Sequence, residues 1–445
     1  VGHWKFNSGS GDILFDHSGN QNHGSIVGAS WEEQSSDEEE ENLDPTFSEH
    51  LVYEGVSSIE EVSAADVDMD GHNDILSATI LGDNLRWYEN REDEPFYSHM
   101  IANNISYARD ISSYDIDDDG DMDILAVYSE ANKVVWYEND GAQGFGVSYE
   151  IDGALNGPTR AVAIDFDGDN DLDILANAQR GDQVCLYEND GNQSFTKHLI
   201  GEGDGPSSAV PVDFDDDGDI DVVSGLIYES KVVWFKNNGN MSFSLEVIDN
   251  IATTETRISD IDLDGDKDLV VTLPNDNGLR WYENDGAEGF TMHTVSNSLN
   301  YPSHMQLIDF NSNGYSDIIL VDAANDNLML YANDKSGGFG DPTLITTGIG
   351  YARISVIDFD QDGDDDFVLG NAAQNKVSWF ENMIHVVSVP GCTDPYAENY
   401  NENASVDDGS CAGYPDNGDY ALSFDGVDDY VNVPNSSLLN FTSGE

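Results

Sequence analysis

Basic residues are scarce in this chain: 16 lysines and arginines stand against 88 aspartates and glutamates, a formal charge of −72 over 445 residues. Such a surface repels nucleic acid and anionic membranes, which excludes both as partners. Cysteine is scarce too. Of the three, Cys392 and Cys411 bracket one short segment, while Cys185 stands alone in an apolar stretch, as a buried hydrophobe would. There is no apolar run of the roughly 18 residues that a membrane-spanning helix needs. No secretory signal opens the chain. It begins "VGHWKFN" and ends "LNFTSGE", both of which read as the interior of a domain, so the expectation is an excerpt from a longer polypeptide. The motifs G-x-S-x-G, H-E-x-x-H, C-x-x-C and the P-loop are missing, which leaves no recognisable catalytic arrangement. "GEGDG" (201–205) lacks the strand and helix of a dinucleotide site, and the ten histidines do not recur at zinc spacing. Disorder, which so high a charge could also signal, is excluded because 39% of residues are hydrophobic and 10% aromatic, in ordered bursts.

What the chain has instead is a repeat. An Asp-rich element reads "DVDMDGHNDIL" from Asp66, "DIDDDGDMDIL" from Asp115, "DFDGDNDLDIL" from Asp165 and "DFDDDGDIDVV" from Asp213. It continues as "DIDLDGDKDLV" from Asp260, "DFNSNGYSDII" from Asp309 and "DFDQDGDDDFV" from Asp358, at intervals of 49, 50, 48, 47, 49 and 49 residues. A second element keeps step: "NLRWYEN" (84–90), "KVVWYEND" (133–140), "QVCLYEND" (183–190), "KVVWFKNN" (231–238), "GLRWYEND" (278–285), "NLMLYAND" (327–334) and "KVSWFEN" (376–382).

Each unit reads as strands. The aromatic element carries large residues on both parities, as in Val134, Val135, Trp136 and Tyr137, so both of its faces must be covered. An Asn-Asp-Gly turn follows, then a shorter segment such as "FYSHMI" (96–101), "FTKHLI" (195–200) or "FTMHTV" (290–295). Four short strands per unit and no helical period describe a propeller blade, and seven units fit a closed ring. The fold class is therefore all-β, a seven-bladed β-propeller. The seventh unit has no clear outer segment, whereas an orphan copy, "FSEHLVY" (47–53), precedes the first unit. Phe47–Tyr53 is predicted to supply the outer strand of blade seven, with "IHVVSVP" (384–390) as the competing segment.

The Asp-rich element is a cation loop by its chemistry. Calcium takes six to eight oxygens, commonly from alternating positions of a tight loop. D-x-D-x-D-G-x-x-D offers side chains at positions 1, 3, 5 and 9 and a carbonyl at 7, with a glycine for the sharp turn. An EF-hand would continue to a glutamate at position 12 between helices. Here position 12 is never Glu, and position 9 runs straight into a strand. A solvated acidic turn would crowd carboxylates seven times over without counter-charge.

The first copy would supply Asp66, Asp68, Asp70 and Asp74 with the carbonyl of His72; the second Asp115, Asp117, Asp119 and Asp123 with that of Asp121. The third would supply Asp165, Asp167, Asp169 and Asp173 with Asp171, and the fourth Asp213, Asp215, Asp217 and Asp221 with Asp219. In the fifth these are Asp260, Asp262, Asp264 and Asp268 with Asp266, and in the seventh Asp358, Asp360, Asp362 and Asp366 with Asp364. The third copy has Asn170 in place of glycine, which is tolerable because Asn reaches the left-handed region. The sixth has Asn311 and Asn313, keeping only Asp309 and Asp317 with the carbonyl of Tyr315, and is expected to be the weakest. Up to seven structural Ca2+ ions are the implied cofactor.

D-x-D-x-D-G-x-x-D followed by Ile or Leu, at this period and with W-Y-E-N-D-G downstream, resembles the FG-GAP/VCBS repeats of integrin-like propellers and large bacterial surface proteins. The resemblance covers residues 47 to about 383, within a propeller domain of residues 47–390, and implies a seven-bladed propeller with mainly structural calcium in a loop between adjacent strands. Residues 1–31 resemble the closing piece of a laminin-G-like (concanavalin-A-like) jelly roll, and residues 413–445 the opening piece of another. Residues 32–46 read as an acidic linker. Residues 391–412 resemble a Cys-bounded, Asp-rich linker module of secreted bacterial proteins. That resemblance implies a Cys392–Cys411 disulfide in preference to two free thiols, and with it an oxidising, extracytoplasmic setting. Asp394, Asp407 and Asp408 there fit either another calcium or a solvated turn.

Arg109, Arg160 and Arg353 fall five or six residues before the first Asp of their units, and Arg257 three before. That places them near the start of the innermost strand, around one mouth of the central channel. Two readings stand: ion pairs with neighbouring acidic loops, or a ring of guanidinium donors for an anionic or sugar ligand. The leading function is a calcium-binding, non-enzymatic module of a secreted or cell-surface bacterial adhesion protein. It would serve as spacer and binding platform for glycan or protein ligands, between neighbouring domains of a longer chain. The alternative is the propeller domain of a polysaccharide lyase or related carbohydrate-active enzyme; fold alone does not decide.

Overall fold

A computed structural model describes residues 46–384 apart from 83, 92, 93, 143, 240, 288 and 336, together with 13–14, 24–25, 390–391 and 406–407. The chain divides into two compact units, residues 1–384 and 385–445. Within the second, Pro390–Gly391 pairs in parallel with Val406–Asp407. In the first, Ile13–Leu14 pairs with Gly24–Ser25, and the other described strands form seven antiparallel four-stranded sheets. The jelly-roll pieces, the acidic linker and the Cys392–Cys411 pair lie outside the described residues.

Blade 1 is Ile59–Ala65, Asp74–Thr79, Asn84–Arg91 and Glu94–Asn103, from the channel outward. Blades 2 to 6 repeat it, beginning at Ala108, Pro158, Pro206, Thr256 and Pro302. Blade 7 takes its three inner strands, Arg353–Ile357, Asp366–Asn371 and Lys376–Asn382, from the end of the ring. Its outer strand is Phe47–Glu54, from the beginning. The orphan segment therefore closes the ring, as the count of outer segments requires.

Every residue of each second strand is buried, as in Asp123–Tyr128, because a sheet packed between two blades has no solvent face. The "DIL", "DVV" and "DFV" runs supply the β-branched and aliphatic residues this needs. The apolar core falls into seven clusters, one per blade boundary. The cluster joining blade 7 to blade 1 contains Val52, Tyr88, Phe359 and Val368. Cys185 is buried between blades 2 and 3, in the place that blades 2 and 4 give to Val135 and Val233. Its thiol is pushed up to about 11 by burial.

Candidate functional site

Each innermost strand begins at one face of the ring and ends in an Asp-rich loop at the other. The register in blade 3 makes this explicit, since Pro158 lies opposite Ala178 and Ile164 opposite Asp173. The ring thus carries two chemically distinct faces, the Asp loops and the arginine mouth.

The Asp loops share one plan. The carboxylate at position 1 accepts the position-6 backbone N–H in every copy and, in copies one, two, four and six, that of position 5 as well, as Asp115 does from Asp119 at 3.1 Å and Gly120 at 3.1 Å. Position 6 is left-handed throughout, with φ +93° at Gly120 and +75° at Asn170, so asparagine does stand in for glycine in the third copy. Position 9 opens the second strand and is fully buried. Asp123 accepts Ile116 N–H at 3.2 Å and Asn139 N–H at 2.8 Å. Burial pushes the carboxyls of Asp74, Asp123, Asp268, Asp317 and Asp366 up to about 7 and those of Asp173 and Asp221 up to about 6.

In the first four loops the aspartates at positions 1, 3 and 5 bring oxygens within 4.8 Å of one another; in the fifth Asp260, Asp262 and Asp268 do so. Burial, and next the repulsion of the position-5 carboxylate, raise Asp68, Asp117, Asp167, Asp262 and Asp360. Buried oxygens of Asp117, Asp260, Asn311 and Asp358 have no hydrogen-bond donor among the described residues. Crowded, donor-poor, all-oxygen loops of this kind fit a hard divalent cation. Blade 4 differs, because Lys236 replaces the glutamate of the W-Y-E-N element and its ammonium lies 2.5 Å from Asp215.

Sequence reasoning missed the asparagine of W-Y-E-N. Its backbone N–H holds the position-9 carboxylate, and its side-chain amide donates to the position-8 carbonyl, as Asn382 does to Asp365 at 3.3 Å. Asn139, Asn284, Asn333 and Asn382 also donate across the blade boundary, to Val67, Phe214, Ile261 and Phe310 carbonyls at 2.7–3.4 Å. Each such asparagine stitches one Asp loop to the next. Asn382→Ala leaves two buried carbonyls without donors and is expected to cost about 2–4 kcal/mol in a urea melt.

The recurring histidines are blade-edge residues. His50, His99 and His293 stack on Trp379, Trp87 and Trp281 at 4.3–4.4 Å. Their Nε2 atoms lie 2.6–2.7 Å from Glu381, Glu89 and Glu283. His198 meets Glu188 in the same way at 2.6 Å.

At the opposite face, the residue five before the first Asp is polar in every blade: Glu61, Asp110, Arg160, Ser208, Glu255, His304 and Arg353. These seven fill the throat of the channel. Arg160 reaches Glu255 at 3.2 Å and Glu61 at 3.8 Å, and Arg257 reaches Glu255 at 2.8 Å. Arg109 and Arg353 both lie 3.3 Å from the same oxygen of Glu60, one residue nearer the mouth. The arginines therefore do form ion pairs, but with glutamates of the innermost strands rather than with the Asp loops. Although burial opposes its ionisation, Arg160 and Arg257 hold Glu255 well below the usual carboxylate range. Burial, with Asp110 adding to it against Arg160, raises Glu61 to about 7. Burial keeps His304 well below the usual imidazole range. Arg160→Ala strips partners from two buried glutamates and is expected to cost about 3 kcal/mol, read as a lowered denaturation midpoint.

The FG-GAP-like repeat family matches the chain over residues 66–126, 115–176, 165–224, 260–320 and 309–369. No curated protein matches. Among solved structures, BBS1N in complex with ARL6DN is 11% identical with a TM-score of 0.56, over 76% of this chain and 98% of that one. Virginiamycin B lyase from Staphylococcus aureus is 11% identical with a TM-score of 0.53, over 76% of this chain and 100% of that one. Both share the fold alone. An Agrocybe aegerita lectin specific for non-reducing terminal N-acetylglucosamine is 19% identical over 75% and 86% of the two chains. Its TM-score of 0.49 is too low to carry an argument.

Proposed function

The chain belongs to the FG-GAP-like repeat family, and from that premise we propose that it is a calcium-stabilised, non-enzymatic binding module of a secreted or cell-surface adhesion protein. The observation that carries this reading is the set of Asp loops. They gather carboxylates within 4.8 Å of one another and leave buried loop oxygens without donors. Positions 1, 3, 5 and 9 would hold the ion, and calcium, when bound, supplies the positive charge those oxygens lack. Blade 4, with Lys236 at Asp215, and blade 6, with Asn311 and Asn313, would be the weakest sites.

On this reading the loops brace one face, and the mouth of the channel presents the binding surface. The polysaccharide-lyase alternative draws no specific support, because the lyase among the similar structures shares only the fold. The deciding experiment is thermal unfolding with saturating Ca2+ and with EDTA. A large upward shift in Tm with calcium is expected, and a Tm indifferent to EDTA overturns the metal reading.

A further inference from the structure

A cup of about 180 Å3 opens at the arginine mouth. Its floor is the ring of residues six before each first Asp: Arg109 in blade 2, then Thr159, Ser207, Thr254 and Ser303 in blades 3 to 6. Arg353, Glu255 and Gln179 complete the polar lining, and Tyr301 and Tyr351 form an aromatic wall. Those two rings meet edge to face at 5.8 Å and are 40% and 56% exposed. Tyr301 is held at φ +62°, the left-handed conformation that Ser58, Tyr107, Gly157, Gly205 and Gly350 take at the same position of other blades, so the repeat itself sets its place on the wall.

Three properties of the cup select its ligand. Its size suits one sugar ring, since pockets for drug-sized molecules run to about 300–1,000 Å3. Its charges are already balanced. Arg109 and Arg353 share Glu60, Arg160 and Arg257 share Glu255, and Arg160 and Arg353 also reach Glu61, with Asp110 beside Arg160, so four arginines face four carboxylates, and an anion would have to displace an internal carboxylate and approach a chain of formal charge −72. A sugar hydroxyl, by contrast, accepts from a guanidinium and donates to a glutamate without disturbing either pair. The four side-chain hydroxyls and the Gln179 amide offer further donors and acceptors, and tyrosine faces suit the apolar face of a pyranose.

We propose that the cup at the channel mouth binds a single neutral sugar residue, its hydroxyls held by ion-paired arginine and glutamate side chains and its ring face laid on Tyr351. The proposal rests on the binding-module reading and names its ligand class.

The test uses the full chain, calcium-loaded and confirmed folded by its melt. The probes are an array and isothermal titration with neutral mono- and oligosaccharides beside uronate- and sulfate-bearing counterparts. Binding to neutral glycans is expected, changing little with salt, and about tenfold weaker in Tyr351→Ala. Tyr228→Ala, at an exposed tyrosine outside the cup, should bind as the parent does. Binding confined to acidic glycans, no glycan binding by a chain that passes the calcium melt, or full affinity in Tyr351→Ala would each overturn the proposal. None of these outcomes touches the calcium reading, which fails only if the melt itself ignores the metal.

Discussion

Deletion of residues 47–53 is expected to lower unfolding stability by at least about 5 kcal/mol and to broaden or split the melting transition. Phe47–Glu54 is the outer strand of blade 7, so its loss exposes Lys376–Asn382 as a sheet edge. It removes Phe47 from its contact with Phe367 at 5.0 Å and His50 from its stack on Trp379 at 4.4 Å. It also takes Val52 out of the core that joins blade 7 to blade 1. Burying each such apolar side chain is worth about 1.5–3 kcal/mol, and each ladder hydrogen bond about 1 kcal/mol. Ring closure makes these contacts cooperative, because an open propeller loses an entire blade boundary. Differential scanning calorimetry of the deletion, with and without a synthetic peptide of residues 47–54, checks this. Partial recovery by the peptide is expected, and an unchanged transition would sink the closure argument.

The second large effect is a reversal of pH dependence by calcium. In the chelated chain the position-9 carboxyls sit at about 6 to 7, well above their ordinary value of 3.8. The folded state then binds protons more tightly than the unfolded state, so stability falls as pH rises from about 4 to 7. With EDTA, Tm should therefore climb as pH drops from about 8 to about 5. With calcium the same carboxylates are ligands, protons compete with the ion, and Tm should fall over that range. Parallel slopes in the two series would show that no cation shares these oxygens. Asp123→Asn separates the two contributions. It removes a buried charge that accepts two backbone N–H groups, so the chelated variant should lose part of its pH slope and the calcium-treated variant part of its stabilisation.

Much of this architecture was legible in the sequence because it is periodic. Seven copies of the Asp-rich element and seven of the aromatic element state the blade count, and the fully apolar runs after position 9 state which strand lies between neighbouring blades. Arithmetic favoured the closing strand, one outer segment too few at the end and one too many at the start, and the pairing of Phe47–Glu54 with Lys376–Asn382 chose it over 384–390. The clustering of the Asp-loop carboxylates was legible for a local reason: side chains at alternate positions of one short turn meet whatever the rest of the chain does. Asn170 could be read as a glycine substitute on the same local grounds, and its φ of +75° bears that out.

The asparagine of W-Y-E-N was visible in every copy yet mute, because its partners lie in other elements, up to 72 residues away. The throat was harder still. Glu61, Asp110, Arg160, Ser208, Glu255, His304 and Arg353 share a position in the repeat, but seven polar residues of mixed sign at one position do not say who pairs with whom.

By itself, then, the sequence stated the repeat, the ring and the Asp-rich loops, since each rests on contacts within a turn, a hairpin or a fixed period. Only the tertiary structure decided what the arginines do. Arg160 meets Glu255 95 residues later, across the channel from a blade that is not its neighbour. Such a pairing depends on the ring's diameter and on side-chain reach, neither of which is written in any single repeat. The ion pairs that result occupy the guanidiniums that the repeat pattern had left open.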